Sequence, residues 1–218
     1  MTRALSLCGL ILAAGESSRM GQDKALLPWP PVLPGQVPEG TFLSAAIRSL
    51  APYTEMVLVV VGANHSHLAP IIYANGGILV QNPEPERGQF SSLQSGLRAI
   101  LDRGRDAAML TLVDRPPVSG DTLAKLRDHF EEAIRNRKWA VIPEFHGKHG
   151  HPILLGRELL EAFLRAPVNS NARDVQHANQ DHIEYFPLPD PLVAANINTP
   201  AEYEALQKLM RTPQAADY

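Results

Sequence analysis

The chain has 218 residues, of which 44% are hydrophobic, and it carries a formal net charge of −3. This length and hydrophobic content are sufficient for a substantial buried core. The slightly acidic balance argues against bulk binding to nucleic acid or to a membrane surface, since both favour an excess of positive charge. No apolar stretch reaches membrane-spanning length and the N-terminus lacks the pattern of a signal peptide, so we expect a cytoplasmic protein.

Short, continuous apolar runs predict strands that are covered on both faces of a sheet. These runs span residues 5–12, 56–61, 78–80, 107–113, 140–142 and 153–155. Apolar residues at helical spacing predict helices at residues 41–50, 92–101, 121–134, 157–164 and 203–210. Because strands and helices alternate along the chain, we expect an α/β fold with a mostly parallel sheet and helices on both of its faces.

Two local features qualify this pattern. Residues 28–40 are rich in proline, which predicts an exposed, non-helical loop between the first strand and the first helix. The only cysteine, Cys8, lies in the first apolar run, so no intramolecular disulfide can form. We therefore expect Cys8 to be a buried thiol in a reducing compartment.

The loop that follows the first predicted strand carries glycines and basic side chains. Gly15 and Gly21 allow positive-φ turns and a close approach of the backbone to a ligand. Arg19 and Lys24 bring two positive charges into the same loop. Backbone N–H groups and side-chain charge together predict a polyphosphate site, although the spacing matches neither the P-loop nor the G-x-G-x-x-G pattern.

A candidate metal ligand occurs at the end of another strand. Asp114 directly follows the apolar run 107–113, so its carboxylate is expected at the carboxyl edge of the sheet, where ligands of α/β folds collect. Mg²⁺ prefers one or two carboxylate oxygens together with substrate phosphates and water. Near the C-terminus, Thr199 and Pro200 are a good helix start, and Asn196 and Asn198 precede them without being needed for capping.

Several segments resemble the MobA-like nucleotidyltransferases. Residues 12–24 resemble the family signature L-A-[AG]-G-x-S-x-R-M-G-x-x-K, and residues 82–97 resemble N-P-x-x-x-x-G-x-x-x-S-L-x-x-G-L. The D-R-P sequence at 114–116 resembles the family's Asp-x-Pro motif, although Arg115 replaces the usual Met or Gln. Residues 196–202 are similar to N-x-N-T-P-E, and the likeness extends from residue 5 to about residue 207.

The resemblance implies roles for particular residues, with Mg²⁺ as the cofactor. Its implied nucleotide-binding residues are Leu12, Ala13, Ala14, Gly15, Ser17, Arg19, Lys24, Asn82, Gly88 and Ser92. Its implied catalytic residues are Arg19, Lys24 and Asp114, and its metal ligands are Asp114, Asn196 and Asn198. The G-H-P sequence at 150–152 would place His151 on the acceptor side of the cleft. Residues 169–173 resemble the family's G-x-x-G-A-R without its glycines, and Arg173 in this segment would also bind the acceptor.

The implied fold is a Rossmann-like three-layer α/β/α sandwich of the nucleotide-diphospho-sugar transferase type, formed by residues 1–211 with a tail at 212–218.

The implied reaction transfers a nucleotidyl group from an NTP to a phosphorylated small-molecule acceptor such as molybdopterin, releasing pyrophosphate. Ala13-Ala14-Gly15 resembles the A-A-G of the cytidylyltransferase branch more than the A-G-G of the guanylyltransferase branch, which implies CTP as the nucleotide. We expect a monomer or weak dimer. A guanylyltransferase, a sugar-phosphate nucleotidyltransferase and a non-catalytic nucleotide-binding module remain alternatives, and the missing G-x-G-x-x-G disfavours a dehydrogenase.

Overall fold

The computed structural model of the chain describes residues 5–15, 21, 23–32, 37–167 and 169–211. Its strands are β1 (Leu7–Leu12), β2 (Pro28–Trp29), β3 (Gly40–Thr41), β4 (Val57–Val61), β5 (Ile78–Gln81), β6 (Ala107–Leu112), β7 (Ala140–Phe145), β8 (Lys148–His149), β9 (Ile153–Gly156) and β10 (Ile183–Pro187). Its α-helices are α1 (Phe42–Leu50), α2 (His65–Ala74), α3 (Gln89–Asp102), α4 (Gly120–Arg135), α5 (Arg157–Arg165), α6 (Ala172–Ala178) and α7 (Pro200–Arg211).

The central sheet has the strand order β5-β4-β1-β6-β9-β7-β10, with β8 paired to β7. The pairs β5·β4, β4·β1, β1·β6 and β7·β10 are parallel, whereas β9 runs antiparallel to both of its neighbours. From β1 the chain moves outwards through β4 to β5 and then returns to β6 on the other side of β1. The strand order therefore reverses between β1 and β6, and their carboxyl ends mark the crevice where ligands bind in such sheets.

Successive residues of β1 point to opposite faces of the sheet, and each face is covered by helices. Leu7 and Ile11 belong to one core cluster, which α1 and α4 cover, and Phe130 is its largest α4 side chain. Cys8 and Leu10 belong to the other cluster, which α3 and α5 cover. The expected three-layer α/β/α arrangement with a mostly parallel sheet is confirmed.

The thiol of Cys8 is fully buried, as expected from its place in the first apolar run. Burial raises its pKa to about 11, because the thiolate would lose its hydration. Within the described residues, no helix is both long enough and apolar enough to cross a membrane.

Some elements have no clear sequence signal. Helix α2 contains Pro70, which weakens its helical pattern, and the short helix α6 buries only Val175. Edge strand β10 alternates between covered and exposed residues instead of forming a continuous apolar run. Helix α3 begins at Gln89, earlier than the predicted start at residue 92, so Ser91 lies within its first turn.

The proline-rich segment is more structured than the prediction of an exposed loop. Within it, β2 pairs antiparallel with β3. The Trp29 ring meets Phe42 edge-to-face at a centroid distance of 5.1 Å, and Phe42 in turn lies 6.1 Å from the Tyr203 ring on α7. Tyr203 Oη donates a 2.8 Å hydrogen bond to the carbonyl of Pro28. The prediction of an exposed loop is wrong for the start of this segment, because aromatic packing buries it against α7; residues 33–36 lie outside the described part.

Candidate active site

A cavity of about 790 Å³ opens at the carboxyl ends of β1 and β6, where the strand order reverses. This volume is within the range of pockets that hold nucleotide-sized ligands. Sequence-predicted residues that line it are Leu12, Ala14, Gly15, Lys24, Gly88, Ser92 and Asp114. Lys24 and Asp114 are 90 residues apart in the chain, and they meet at this edge of the sheet, as expected from their positions after strands.

Lys24 connects the two motifs and a third one near the C-terminus. Its Nζ donates a 3.1 Å hydrogen bond to Asp114 Oδ2 and a 2.7 Å hydrogen bond to Asn198 Oδ1. Its side chain is only 13% exposed and that of Asp114 only 21%, so the ion pair is largely shielded from water. Three residues predicted to act at one site are therefore in direct contact.

The oxygen atoms around this contact fit a hard divalent cation. Oδ1 of Asp114 and Oδ1 of Asn196 are buried, and neither has a hydrogen-bond partner within the described ranges. Unpaired buried oxygens are costly unless they find a donor or a cation. Carboxylate and amide oxygens, such as those of Asp114, Asn196 and Asn198, are of the kind that Mg²⁺ accepts alongside phosphates and water. Within the described chain, no group of three His, Cys, Asp or Glu side chains is suited to a metal.

The segment that carries the asparagines is fixed to the loop after β6. Ile197 N–H donates to the Asp114 carbonyl at 2.9 Å, and Arg115 Nη1 donates to the Ala195 carbonyl at 2.9 Å. Helix α7 begins directly afterwards, where Glu202 Oε2 accepts from Asn198 N–H and Thr199 N–H. These hydrogen bonds lower the pKa of Glu202, and the bond from Asn198 N–H contributes most.

The Thr199 hydroxyl accepts a 3.3 Å hydrogen bond from Glu202 N–H, so Thr199 and Glu202 cap the start of α7 reciprocally. The expected capping role of Thr199 is confirmed. The cap also fixes the backbone of Asn198, whose side chain reaches Lys24.

His151 and Arg115 both bond to the segment that precedes the asparagines, at Val193 and Ala195. His151 N–H donates to the Val193 carbonyl at 2.8 Å, and its ring atom Nδ1 is buried with no partner in the described chain. Burial and, secondarily, the charge of Arg115 lower the pKa of His151 to about 3, so the imidazole is neutral at physiological pH. Burial also lowers the pKa of Arg115, an effect that Asp114 opposes.

A Cβ on Gly150 would lie 2.1 Å from the Val193 carbonyl oxygen, which explains the glycine before His151.

Sequence reasoning missed several residues that line the cavity. They are Asp23, Ala63, Asn64, Pro85, Glu86 and Gln89. Asn64 joins three loops, because its Nδ2 donates to the Ala13 carbonyl at 3.0 Å and to Asp23 Oδ2 at 2.8 Å, and its Oδ1 accepts from Gly62 N–H. Asn64 follows β4, so the strand-end argument that identified Asp114 would also have found it.

The other predicted nucleotide contacts divide between the cavity and the interior. Ala13 is buried, and the amide of Asn82 donates internally to the hydroxyls of Ser91 and Ser92. Asn82 thus holds the β5–α3 loop in place, although its side chain does not line the cavity. Gly88 lines the cavity with a φ of +89°, a conformation that favours glycine.

Of the glycines in the basic loop, Gly21 has a φ of +68°, as predicted. Gly15 does not have a positive φ, but it lines the cavity and open space lies where a Cβ would be, which leaves room for a ligand near its backbone. Ser17 and Arg19 lie outside the described residues. Arg173 is exposed in the first turn of α6 and is absent from the described lining of the cavity.

Residues 9–183 match the family model for the MobA-like NTP transferase domain. The chain belongs to this family. The matched range takes in the central sheet from Gly9 in β1 to the first residue of β10, and the segment with Asn196, Asn198 and α7 lies beyond it.

Individual MobA-like proteins are similar over nearly the whole chain. The molybdenum cofactor cytidylyltransferase of Escherichia coli is 28% identical over 197 residues, covering 85% of this chain and 93% of that protein. A probable molybdenum cofactor guanylyltransferase of Mycobacterium avium is 27% identical over 207 residues, covering 94% and 98%. The crystal structure of Rv0371c from Mycobacterium tuberculosis with manganese superimposes with a TM-score of 0.69 at 19% identity, covering 93% and 98% of the two chains.

Proposed function

We propose that this MobA-like protein transfers CMP from CTP to a phosphorylated acceptor, molybdopterin, in a magnesium-dependent reaction that releases pyrophosphate. The observation that carries the proposal is the contact of Lys24 with Asp114 and Asn198 beside a nucleotide-sized cavity at the switch point of the sheet. The similarity to curated cytidylyl- and guanylyltransferases of the molybdenum cofactor supports both the reaction class and the acceptor.

The nucleotide would lie along the cavity with its phosphates towards Lys24. Leu12, Ala14 and Gly15 would contact the nucleoside, with Gly88 and Ser92 on the side of the base and ribose. Lys24 and Arg19 would bind the β- and γ-phosphates and neutralise the leaving pyrophosphate. Asp114, Asn196 and Asn198 would hold Mg²⁺, which supplies positive charge to the phosphate oxygens when it is bound.

The transfer itself needs positioning and charge but no general base. An oxygen of the acceptor phosphate forms a bond to the α-phosphorus, and the bond from that phosphorus to the oxygen bridging the β-phosphate breaks. The bonding electron pair leaves with pyrophosphate. A phosphate monoester is already largely ionised near neutral pH, because its second pKa is about 6. We therefore assign the residues of the cavity to alignment and charge stabilisation.

We place the acceptor near His151 and Arg173. The neutral imidazole of His151 offers a hydrogen bond without adding charge beside Arg115. The proposed role of Arg173 in binding the acceptor is based on the family motif alone. We also propose that residues 1–211 form one transferase domain with a tail at 212–218, which the family match over residues 9–183 supports.

A nucleotide panel tests the proposal. Thermal unfolding is measured with CTP, GTP, UTP or ATP in the presence of Mg²⁺, and pyrophosphate release is measured after adding molybdopterin. We expect CTP to stabilise the protein most, by about 2.7 kcal/mol at a hundredfold excess over its Kd. We expect pyrophosphate release with the same nucleotide, and its loss in Asp114→Ala.

Each other outcome has a distinct meaning. Stabilisation by GTP with pyrophosphate release identifies a guanylyltransferase. Stabilisation without release, across all four nucleotides and with molybdopterin present, identifies a nucleotide-binding module and contradicts the proposal. Unchanged release in Asp114→Ala removes that residue from the site.

A further inference from the structure

The ammonium group of Lys24 lies between the oxygens that the proposed function gives to the metal. Nζ is 3.1 Å from Asp114 Oδ2 and 2.7 Å from Asn198 Oδ1. A magnesium ion binds oxygen ligands at about 2.1 Å, so an ion shared by these two side chains would need the space that Nζ fills. The two cations would also repel each other strongly in a site largely shielded from water.

Lysine is an incomplete partner for this set of oxygens. Asp114 Oδ1, in the same carboxylate, and Asn196 Oδ1, two residues before Asn198, are buried with no hydrogen-bond partner in the part of the chain that the structure describes. The ammonium therefore compensates the carboxylate charge and one amide, and it leaves two oxygens of the same cluster unsatisfied. A divalent ion provides more charge and a larger number of ligand positions than one ammonium group.

We propose that Lys24 acts as a built-in counter-cation, which holds Asp114 and Asn198 together before nucleotide binds and gives up these oxygens when the metal enters. The inference rests on the proposed function, because the triphosphate is the anion that draws Lys24 away. Metal and nucleotide then bind cooperatively, since each favours the arrangement in which Lys24 has left Asp114. A metal ion alone binds weakly because it must displace the ammonium without help.

Binding of Mn²⁺ alone, in the absence of nucleotide, tests this role. The full chain and its Lys24→Met variant are titrated with Mn²⁺, and free ion is followed by electron paramagnetic resonance. Met retains the length of the side chain but removes its charge, so we expect Lys24→Met to bind one Mn²⁺ at least about tenfold more tightly than the parent protein. Circular dichroism checks that the variant is folded, and Lys24→Gln provides a second, polar replacement.

Two controls separate the site from a general effect of charge. Lys125→Met removes the same unit of charge from an exposed residue of α4 that pairs with Asp121, and it should leave Mn²⁺ affinity unchanged. Adding Asp114→Asn to Lys24→Met should abolish the gain. Equal Mn²⁺ affinity in the parent and in both Lys24 variants would overturn the inference, as would a gain that persists without the Asp114 carboxylate.

This inference and the proposed function fail in different ways. A parent protein that releases pyrophosphate, together with unchanged Mn²⁺ binding in the Lys24 variants, would contradict only the counter-cation role. A gain of Mn²⁺ affinity in those variants, together with no turnover of any nucleotide by the parent protein, would support the counter-cation role and contradict the transferase.

Discussion

At the scale of single residues, the site combines one paired charge with several buried polar atoms that lack partners. Lys24 compensates Asp114, whereas Asn196 Oδ1, His151 Nδ1 and Arg115 Nε have no hydrogen-bond partner within the described part of the chain. Such atoms reduce stability, and they concentrate where the chain from 195 to 198 meets the loop after β6. These unpaired atoms lower the stability of the fold, and a ligand that supplied hydrogen bonds or a cation to them would restore it.

His151 makes the stability of the fold dependent on pH. Its folded-state pKa of about 3 lies below the ordinary value of 6.5, because burial and Arg115 oppose its charged form. The unfolded chain therefore takes up a proton at His151 below about pH 6.5, while the folded chain remains neutral there until about pH 3. His151 contributes its full stability above pH 6.5, and this contribution is lost as the pH falls towards 3.

We expect His151→Gln to flatten the decline in the free energy of unfolding between pH 6.5 and pH 4. The contribution of the histidine to that decline is up to about 1.4 kcal/mol per pH unit. Urea unfolding at several pH values measures it, with His67→Gln on the exposed side of α2 as the matched control. Parallel pH curves for His151→Gln and the parent protein would contradict this account.

Much of the site could be predicted from the sequence because its residues follow strands. Lys24 and Asp114 come after apolar runs, and parallel strands bring such positions to one edge. The internal role of Asn82 could not be predicted, because a motif gives a residue type and no side-chain direction. The effect of the Arg115 charge on the pKa of His151 depends on how loops distant in sequence are arranged, which no local pattern indicates.

At the scale of elements, α7 connects the proline-rich segment to the part of the chain that holds Asn198. Tyr203 bonds to the Pro28 carbonyl, Gln207 Nε2 donates to the Val32 carbonyl at 2.9 Å, and Trp29 packs on Phe42 beneath them. The same helix begins next to Asn198. The proline-rich segment therefore supports the helix whose N-terminal end follows Asn198. The sequence shows the prolines, but the aromatic contacts with α7 are long-range and have no local signature.

We expect Trp29→Ala to lower the free energy of unfolding by about 2–3 kcal/mol, because a half-buried ring loses its contact with Phe42. Hydrogen exchange should also increase along α7, and the stabilisation of the protein by CTP with Mg²⁺ should decrease.

The milder variant Tyr203→Phe removes only the hydroxyl bond to Pro28, at a cost of about 1 kcal/mol. Exchange along α7 that is the same in Trp29→Ala as in the parent protein would show that the segment does not support the helix.

At the scale of the whole molecule, the chain has a net charge of −3 and must attract a strongly negative nucleotide. The described lining of the cavity includes the carboxylates of Asp23, Glu86 and Asp114 together with Lys24. Lys24 is paired with Asp114 in this structure, so it becomes available to the triphosphate only when another cation compensates Asp114. A divalent metal is that cation in the proposed function, which also assigns Arg19 to the phosphates.

We therefore expect stabilisation by CTP to depend on a divalent metal. Thermal unfolding with saturating CTP is compared in Mg²⁺ and in excess EDTA, and the shift in Tm should fall by at least about half when the metal is removed. Adding back Mg²⁺ should restore the shift, and EDTA alone should leave the Tm of the nucleotide-free protein unchanged, because Lys24 then compensates Asp114. A CTP-induced shift that is equal with and without metal would mean that protein side chains alone neutralise the triphosphate, and the assignment of Asp114, Asn196 and Asn198 as metal ligands would be withdrawn.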